Sequence, residues 1–250
     1  MATTTPAPQT GPQKAQTVKT ARQKAWRSTI ALKALMAVSG LFMVLFLIAH
    51  AYGVLQAFGG RDIYNEYSSH LHQFGEPILH YDWFLWILGI VLLIAVLAHI
   101  YAAAHLTVRD WRARKGAGKR YQTTKGRRGV QRSYASFTLR IGGVYIALYV
   151  IFHLLNMAAG AIQPGGATPD PYQRMLNSFS VWWVVLIYTV ALILVGFHLR
   201  HGVWSALTTL GANTSARARK RLNIGAYIVS FAIAIGFLLV PWSVVTGIIN

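Results

Sequence analysis

The sequence predicts an all-α integral membrane protein, a helical bundle with five transmembrane helices. Of its 250 residues, 54% are hydrophobic and only 12% are charged, which is outside the balance of ordinary soluble domains. The hydrophobic residues also fall into five runs, each long enough to cross a bilayer core of about 30 Å at about 1.5 Å per helical residue. We expect these spans at residues 29–57, 83–108, 137–161, 179–200 and 223–248.

Residues 1–28 precede the first span and are predicted to form a disordered basic tail on the cytoplasmic side. The segment is rich in Pro, Thr, Ala and Gln, a composition that cannot bury a hydrophobic core. The first apolar run begins too late and is too long for a cleavable signal peptide, so we expect the tail to remain attached. Residues 29–250 are predicted to form one membrane domain.

Lysine and arginine residues lie almost entirely on one side of the predicted membrane. Twenty of the 24 fall in the tail or around the connections after the second and fourth spans. The opposite connections contain only Arg61 and Arg174, with five of the six acidic residues. The positive-inside rule therefore predicts a multi-pass protein of the cell membrane with a cytoplasmic N-terminus and an external C-terminus. Because the basic residues sit in loops beside the membrane, the net charge of +18 does not indicate a nucleic-acid partner.

Each of the first four spans contains one histidine, and the fifth contains none. These residues are His50, His99, His153 and His198. An ionisable side chain inside a bilayer is costly unless it is paired or ligated, so an intramembrane histidine is functional by default. The alternative role is a hydrogen bond between helices. One histidine in each of four spans favours a functional role over that alternative.

The four histidines fall at two depths because successive helices run in opposite directions. His50 and His153 lie in the outer half of the predicted bilayer, and His99 and His198 lie in the inner half, about 15 Å away by the helical rise. The chain has no cysteine, which excludes thiolate metal sites, iron–sulfur clusters and covalently attached haem. Neutral imidazole is a common ligand of haem iron. We therefore predict that four helices surround two stacked haems and that these histidines are the axial ligands of the haem iron.

Glycines spaced ten residues before three of the histidines support this prediction. They are Gly40, Gly89 and Gly143. Ten residues correspond to about 15 Å, so each glycine lies near the level of the other haem and would let a porphyrin approach the backbone. The alternative is that they serve helix contacts, for which glycine is common in membrane helices.

Three segments around these histidines resemble a known family. They are AVSGLFMVLFLIAHAYG from Ala37 to Gly53, TLRIGGVYIALYVIFHLLN from Thr138 to Asn156, and GFHLRHGVWSALTTLG from Gly196 to Gly211. Together they resemble the single-chain, di-haem cytochrome b membrane anchor of succinate dehydrogenase and fumarate reductase. The resemblance extends over all five spans, about residues 30–250.

The resemblance implies two haem b, with His99 and His198 as ligands of the inner haem and His50 and His153 as ligands of the outer haem. It implies a flavoprotein subunit and an iron–sulfur subunit on the cytoplasmic side, and a quinone, usually menaquinone, as electron partner. The segments outside the spans are too short for a flavin domain, and without cysteine the chain cannot hold an iron–sulfur relay. The electrons must therefore come from another subunit. Some di-haem fumarate reductases have a glutamate, thought to move protons, two residues before the fourth-helix histidine. The corresponding residue here is Gly196, so a proton path of that type is not expected.

If electrons reach the outer haem, the quinone site is expected beside it, at the outer end of the second helix. Quinone chemistry exchanges protons, which calls for a titratable side chain near the quinone oxygens. Glu66 and His72 are the candidates, and the alternative is that both are solvated loop residues.

Two other functions remain open from the sequence. One is a haem-bearing anchor of another membrane oxidoreductase, such as a hydrogenase or a formate dehydrogenase. The other is a transporter or proton channel whose histidines relay protons and bind no haem. A visible spectrum and the co-purifying subunits would distinguish the three.

Overall fold

The structure is a computed structural model that describes residues 28–115 and 130–250, with side chains described up to Ala113 and again from Leu139. The described part is all-α and contains seven α-helices. They are α1 (Thr29–Leu55), α2 (Arg61–His72), α3 (Trp83–Lys115), α4 (Val130–His153), α5 (Pro171–Phe179), α6 (Trp182–Thr209) and α7 (Ala216–Val245). A 3₁₀ turn, Gln56–Gly59, follows α1, and a π-helical turn, Leu154–Ala158, follows α4. The predicted disordered tail lies outside the described residues, except for Ser28.

Five helices are long and apolar enough to cross a membrane: α1, α3, α4, α6 and α7. They leave many large apolar side chains exposed, and the most apolar stretch of α3 has no buried residue at all. A water-soluble protein rarely exposes apolar surface on that scale. Lipid, in contrast, solvates such a surface well. The predicted multi-pass membrane protein with five spans is therefore confirmed.

Four of the spans extend further than their apolar runs at one end. The helix α3 continues to Lys115 and α6 to Thr209, while α4 begins at Val130 and α7 at Ala216. The corresponding predicted spans are 83–108, 179–200, 137–161 and 223–248. Hydropathy indicates where the chain contacts lipid, but a helix continues into the polar interface until a cap ends it. Ser215 is such a cap, since its hydroxyl accepts a hydrogen bond from the Ala218 amide at 3.1 Å.

The helix α1 lies at the centre of the bundle, where it packs against α3, α6 and α7, while α6 also packs against α4 and α7. Val184, Val240 and Tyr188 belong to the buried core along these contacts. Among the described helices, neither α1 with α4 nor α3 with α6 is a closely packed pair. Those two pairs are the ones whose histidines we expect to share a haem.

The short helices α2 and α5 form a cap over one end of the bundle, and they correct our expectation of loops there. Tyr172, Met175 and Phe179 of α5 are buried at the spacing of one helical face. Such a helix has too few residues to register as an apolar run. We call the membrane side that carries α2 and α5 the cap side, and the opposite side, from which α1 starts, the basic side.

Polar contacts join the two helices of the cap. Asp170 caps α5 by accepting a hydrogen bond from the Gln173 amide at 3.0 Å, and it also accepts one from Asn65 at 3.0 Å. Arg61 forms an ion pair with the same carboxylate at 2.7 Å. Although burial acts to raise the pKa of Asp170, these hydrogen bonds and the Arg61 charge hold that pKa below its ordinary value. The carboxylate thus links α2 to the first turn of α5.

Candidate functional site

The four intramembrane histidines meet in two pairs, with the partners expected from the sequence. The ring centres of His50 and His153 are 5.8 Å apart, and those of His99 and His198 are 6.3 Å apart. His50 lies one turn before the end of α1, and His153 ends α4, so we call them the cap-side pair. His99 lies at the middle of α3 and His198 just past the middle of α6, nearer the basic side than His50 and His153, and we call them the basic-side pair.

The two rings of the basic-side pair lie close to backbone atoms and glycines of neighbouring helices. The Nδ1 of His99 lies 3.2 Å from the Met36 carbonyl oxygen and 3.4 Å from the Ser39 hydroxyl. A Cβ placed on Gly40 would lie 3.3 Å from Cε1 of His99, and one on Gly143 would lie 3.8 Å from Cε1 of His198. Both glycines are therefore next to histidines of the basic-side pair, at the level predicted from the ten-residue spacing.

The Met36 contact fixes the tautomer of His99. A carbonyl oxygen can only accept, so the Nδ1 of His99 must carry the hydrogen and donate it. The lone pair of the neutral ring is then on Nε2, which leaves that nitrogen able to bind a metal.

The cap-side pair is surrounded by aromatic rings and one buried polar network. The ring of His50 contacts those of Phe46 and Phe237, whose centres are 5.3 and 5.4 Å away. The Nδ1 of His153 lies 3.1 Å from the Tyr188 hydroxyl oxygen. That hydroxyl donates to Oδ1 of Asn156 at 3.0 Å.

Three observations bear on whether haem fits these residues. Two metal–nitrogen bonds of about 2 Å, plus half an imidazole ring on each side, give a ring-centre separation of about 6 Å, close to both observed values. The helices of each pair are not packed closely on each other in the described structure, so a group placed between the two rings would not have to replace a tight helix contact. No group of three or more His, Cys, Asp or Glu side chains there could hold a bare metal ion. The ring separations fit two histidine ligands of one haem iron, and a porphyrin would supply the other four ligands.

Three other glycines, in the second and fourth spans, do not lie beside a histidine ring. A Cβ on Gly89 or on Gly202 would meet nothing within 4 Å, whereas a Cβ on Gly196 would lie 3.1 Å from the Cβ of Ala234. Gly196 therefore serves the close approach of α6 and α7. A side chain added at this position would require Ala234 to give by a few tenths of an ångström.

The two residues expected at a quinone site are in different surroundings on the cap side. His72 ends α2, and its Nδ1 is hydrogen-bonded to the Asp82 carboxylate. The Asp82 amide donates back to the His72 carbonyl at 2.8 Å, and Asp82 has a left-handed backbone with φ 68°. Glu66 is exposed, and no hydrogen bond joins it to His72 among the described contacts. The structure thus brings His72 to the start of α3 and adds Asp82 as its partner.

Sequence reasoning missed several residues of these sites. Asn156 and Tyr188 are polar side chains within predicted spans, and that alone could have drawn attention to them. Asp82 gave a weaker signal, since it is one acid among several in the same connection. Their partners are far away in sequence, so only the fold reveals them.

Comparison with known proteins yields no relative, since no family model, curated protein or solved structure matches this chain.

Proposed function

We propose that this chain is the membrane anchor and electron-transfer subunit of a succinate:quinone oxidoreductase, a cytochrome b with two haem b. The observation that supports this most is the pairing of four intramembrane histidines, at 5.8 and 6.3 Å between ring centres. Four such residues in a bilayer need a compensating partner, and iron ligation is the chemistry that neutral imidazole pairs at this spacing suit best.

In this proposal, His99 and His198 hold the basic-side haem, and His50 and His153 hold the cap-side haem. Bound haem would supply one-electron carriers at two depths. Two histidine ligands leave no open coordination position, which suits electron transfer better than oxygen chemistry. The surrounding apolar helices exclude water, and the Met36 carbonyl keeps Nε2 of His99 available as a ligand.

Partner subunits would dock on the basic side, which is cytoplasmic by the positive-inside rule. We propose a flavoprotein that oxidises succinate and an iron–sulfur protein that delivers its electrons. The charge of the basic side would attract such partners, although anionic lipid would be attracted in the same way. Much of the most basic connection, between α3 and α4, lies outside the described residues.

Quinone, menaquinone by the family resemblance, would react near the cap-side haem. His72 is the better supported proton-exchanging group, since Asp82 orients its ring and holds it at the start of α3. Its other ring nitrogen, Nε2, would face the quinone. Glu66 is the second candidate, as an exposed carboxyl on the same helix.

The test of the function is to purify the complex through a tag on this chain and to supply electron donors. We expect a flavoprotein and an iron–sulfur protein to co-purify, and succinate to reduce the haem bands. Reduction by hydrogen or formate, with a nickel or molybdenum protein in the preparation, would instead favour the anchor of a different oxidoreductase. A preparation without haem bands would favour a histidine-relay transporter.

A further inference from the structure

We propose that Tyr188 is a positioning residue for the cap-side pair, because its hydrogen bond to His153 holds that imidazole in the tautomer that presents Nε2 as a ligand. The inference rests on the proposed haem function and deepens it, since it names a side chain that tunes one haem and not the other.

The direction of every hydrogen bond in the network follows from one backbone carbonyl. The Ile162 oxygen can only accept, so the Asn156 atom 2.8 Å from it is the donor Nδ2. The other amide atom is then Oδ1, which can only accept, and the Tyr188 hydroxyl 3.0 Å away must donate its single hydrogen there. The Tyr188 oxygen is left with lone pairs, and it accepts from Nδ1–H of His153 at 3.1 Å. The free nitrogen of His153 is therefore Nε2.

Burial makes this arrangement costly to change. Asn156 is 0% exposed, Ser178 is 1% exposed, and Tyr188 is 4% exposed. Polar atoms inside such a cluster depend on one another for hydrogen bonds, because no water can replace a lost partner. Ser178 accepts the second hydrogen of Asn156 at 3.0 Å, which further holds the amide in its orientation.

The backbone after His153 brings Asn156 to this place. A π-helical turn covers Leu154–Ala158, and the Ala159 amide donates to the Leu154 carbonyl, five residues earlier, at 2.7 Å. Turns of this kind are rare and frequently occur at functional sites. Here the turn leads from a ligand histidine directly to the side chain that orients its hydrogen-bond partner.

The basic-side pair reaches the same tautomer by another route. The Nδ1 of His99 donates to the backbone carbonyl of Met36, which no side-chain substitution removes. Each haem would thus have one histidine ligand whose Nδ1–H donates a hydrogen bond. The acceptor is a backbone carbonyl on the basic side and a phenol oxygen on the cap side. Substitution at Tyr188 should consequently affect the cap-side haem alone.

The experiment is a redox titration of the purified complex carrying Tyr188→Phe, followed by visible and electron paramagnetic resonance spectra. An acceptor at Nδ1–H makes the imidazole a stronger donor to iron and favours the oxidised state. Its loss should raise the midpoint potential of the cap-side haem, identified as the haem that His153→Ala removes. We expect the oxidised-to-reduced ratio at a fixed potential to fall roughly tenfold, which is about 59 mV for one electron. The spectra of the basic-side haem should not change.

Two matched variants separate the hydrogen bond from packing. Tyr149→Phe alters a ring 5.9 Å from His153 and 5.1 Å from Tyr188 that has no hydrogen bond to His153 among the described contacts. Ser178→Ala removes one acceptor of Asn156 but leaves the Ile162 carbonyl, which sets the orientation of the amide. Both variants should keep the wild-type potential.

An unchanged cap-side potential in Tyr188→Phe would overturn the proposal, and so would an equal shift in either control. Selective loss of the cap-side haem in Tyr188→Phe, with both haems kept in Tyr149→Phe, would support it. Failure of the Tyr188→Phe chain alone to accumulate would count against it, because a tuning hydrogen bond does not govern assembly. A wild-type complex without haem would instead overturn the proposed function itself.

Discussion

At the scale of single residues, small side chains decide how closely helices and histidine rings approach. Gly40 lies beside the ring of His99, and a Cβ there would be 3.3 Å from Cε1. Gly196 allows α6 to meet Ala234 of α7. The sequence does not distinguish a glycine that contacts a histidine ring from one that contacts a neighbouring helix. Only the folded structure makes that distinction.

We predict that Gly40→Ala displaces the ring of His99 and weakens binding of the haem proposed at the basic-side pair. The added methyl would push the ring by a few tenths of an ångström and lengthen its hydrogen bond to Met36, and loss of such support typically costs about 10- to 100-fold in metal affinity. The measurement is haem content per chain after purification. Gly225→Ala is the matched control, since a Cβ there meets nothing within 4 Å, and equal haem content in the two variants would contradict the prediction.

His72 is the residue that we propose exchanges protons with the quinone. His72→Ala should lower succinate:quinone turnover and leave haem content and dye-coupled succinate oxidation unchanged, because only quinone chemistry needs the proton. Asp82→Asn should give a smaller loss, since it weakens the orientation of the ring without removing it. Glu66→Gln tests the other candidate, and Glu76→Gln is the control from the same connection. Normal turnover in both His72→Ala and Glu66→Gln would exclude this assignment.

At the scale of elements, the five spans could be predicted and the cap could not. Long apolar runs report the lipid-facing length of α1, α3, α4, α6 and α7, but the helix ends depend on capping groups such as Ser215. The helices α2 and α5 are stabilised by Arg61, Asn65 and Asp170, contacts between residues more than 100 positions apart. Hydropathy contains no information on such contacts.

The cap gives a prediction about acid stability. Because the folded pKa of Asp170 is lowered, its contribution is present above its ordinary pKa of 3.8 and is lost as the pH falls through the lowered value. Asp170→Ala should destabilise α5 by about 1 kcal/mol, the usual effect of losing a helix cap. Asp170→Asn keeps a capping side chain and loses only the exposed ion pair, which is worth about 0–1 kcal/mol.

Hydrogen–deuterium exchange of the α5 amides measures this effect locally. After correction for the intrinsic pH dependence of amide exchange, we expect lower protection in Asp170→Ala, near-normal protection in Asp170→Asn, and a smaller acid-induced loss of protection in Asp170→Asn than in the wild type. An equal acid response in all three proteins would show that another carboxyl controls the cap.

At the scale of the whole molecule, the sequence predicted the pairing of the histidines because five antiparallel spans leave few alternatives for four of them. It did not predict which helices touch. The helix α1 packs against α6, whereas α1 with α4 and α3 with α6, the pairs that bring the histidines together, are not closely packed. In the described structure, Tyr188 is hydrogen-bonded to His153 of the cap-side pair. Those features depend on tertiary packing between distant segments.

The orientation of the molecule is a separate prediction from the charge distribution. Single cysteines introduced at Ala117 and Ala167 of this cysteine-free chain should lie on opposite sides of the membrane. An impermeant thiol reagent added to intact cells should label the Ala167 site and should reach the Ala117 site only after the cells are opened. The opposite labelling would reverse the assignment of the basic side to the cytoplasm.

The most direct measurement of the central claim is the haem-to-chain ratio of the purified protein, taken from a pyridine haemochrome spectrum and amino-acid analysis. Two histidine pairs at ring-centre separations of 5.8 and 6.3 Å predict two haem b per chain. His50→Ala and His153→Ala should each remove the same haem, and His99→Ala and His198→Ala the other, while His105→Ala on α3 should keep both. A wild-type ratio near one would contradict the two-haem account, and a ratio near zero would contradict the cytochrome altogether.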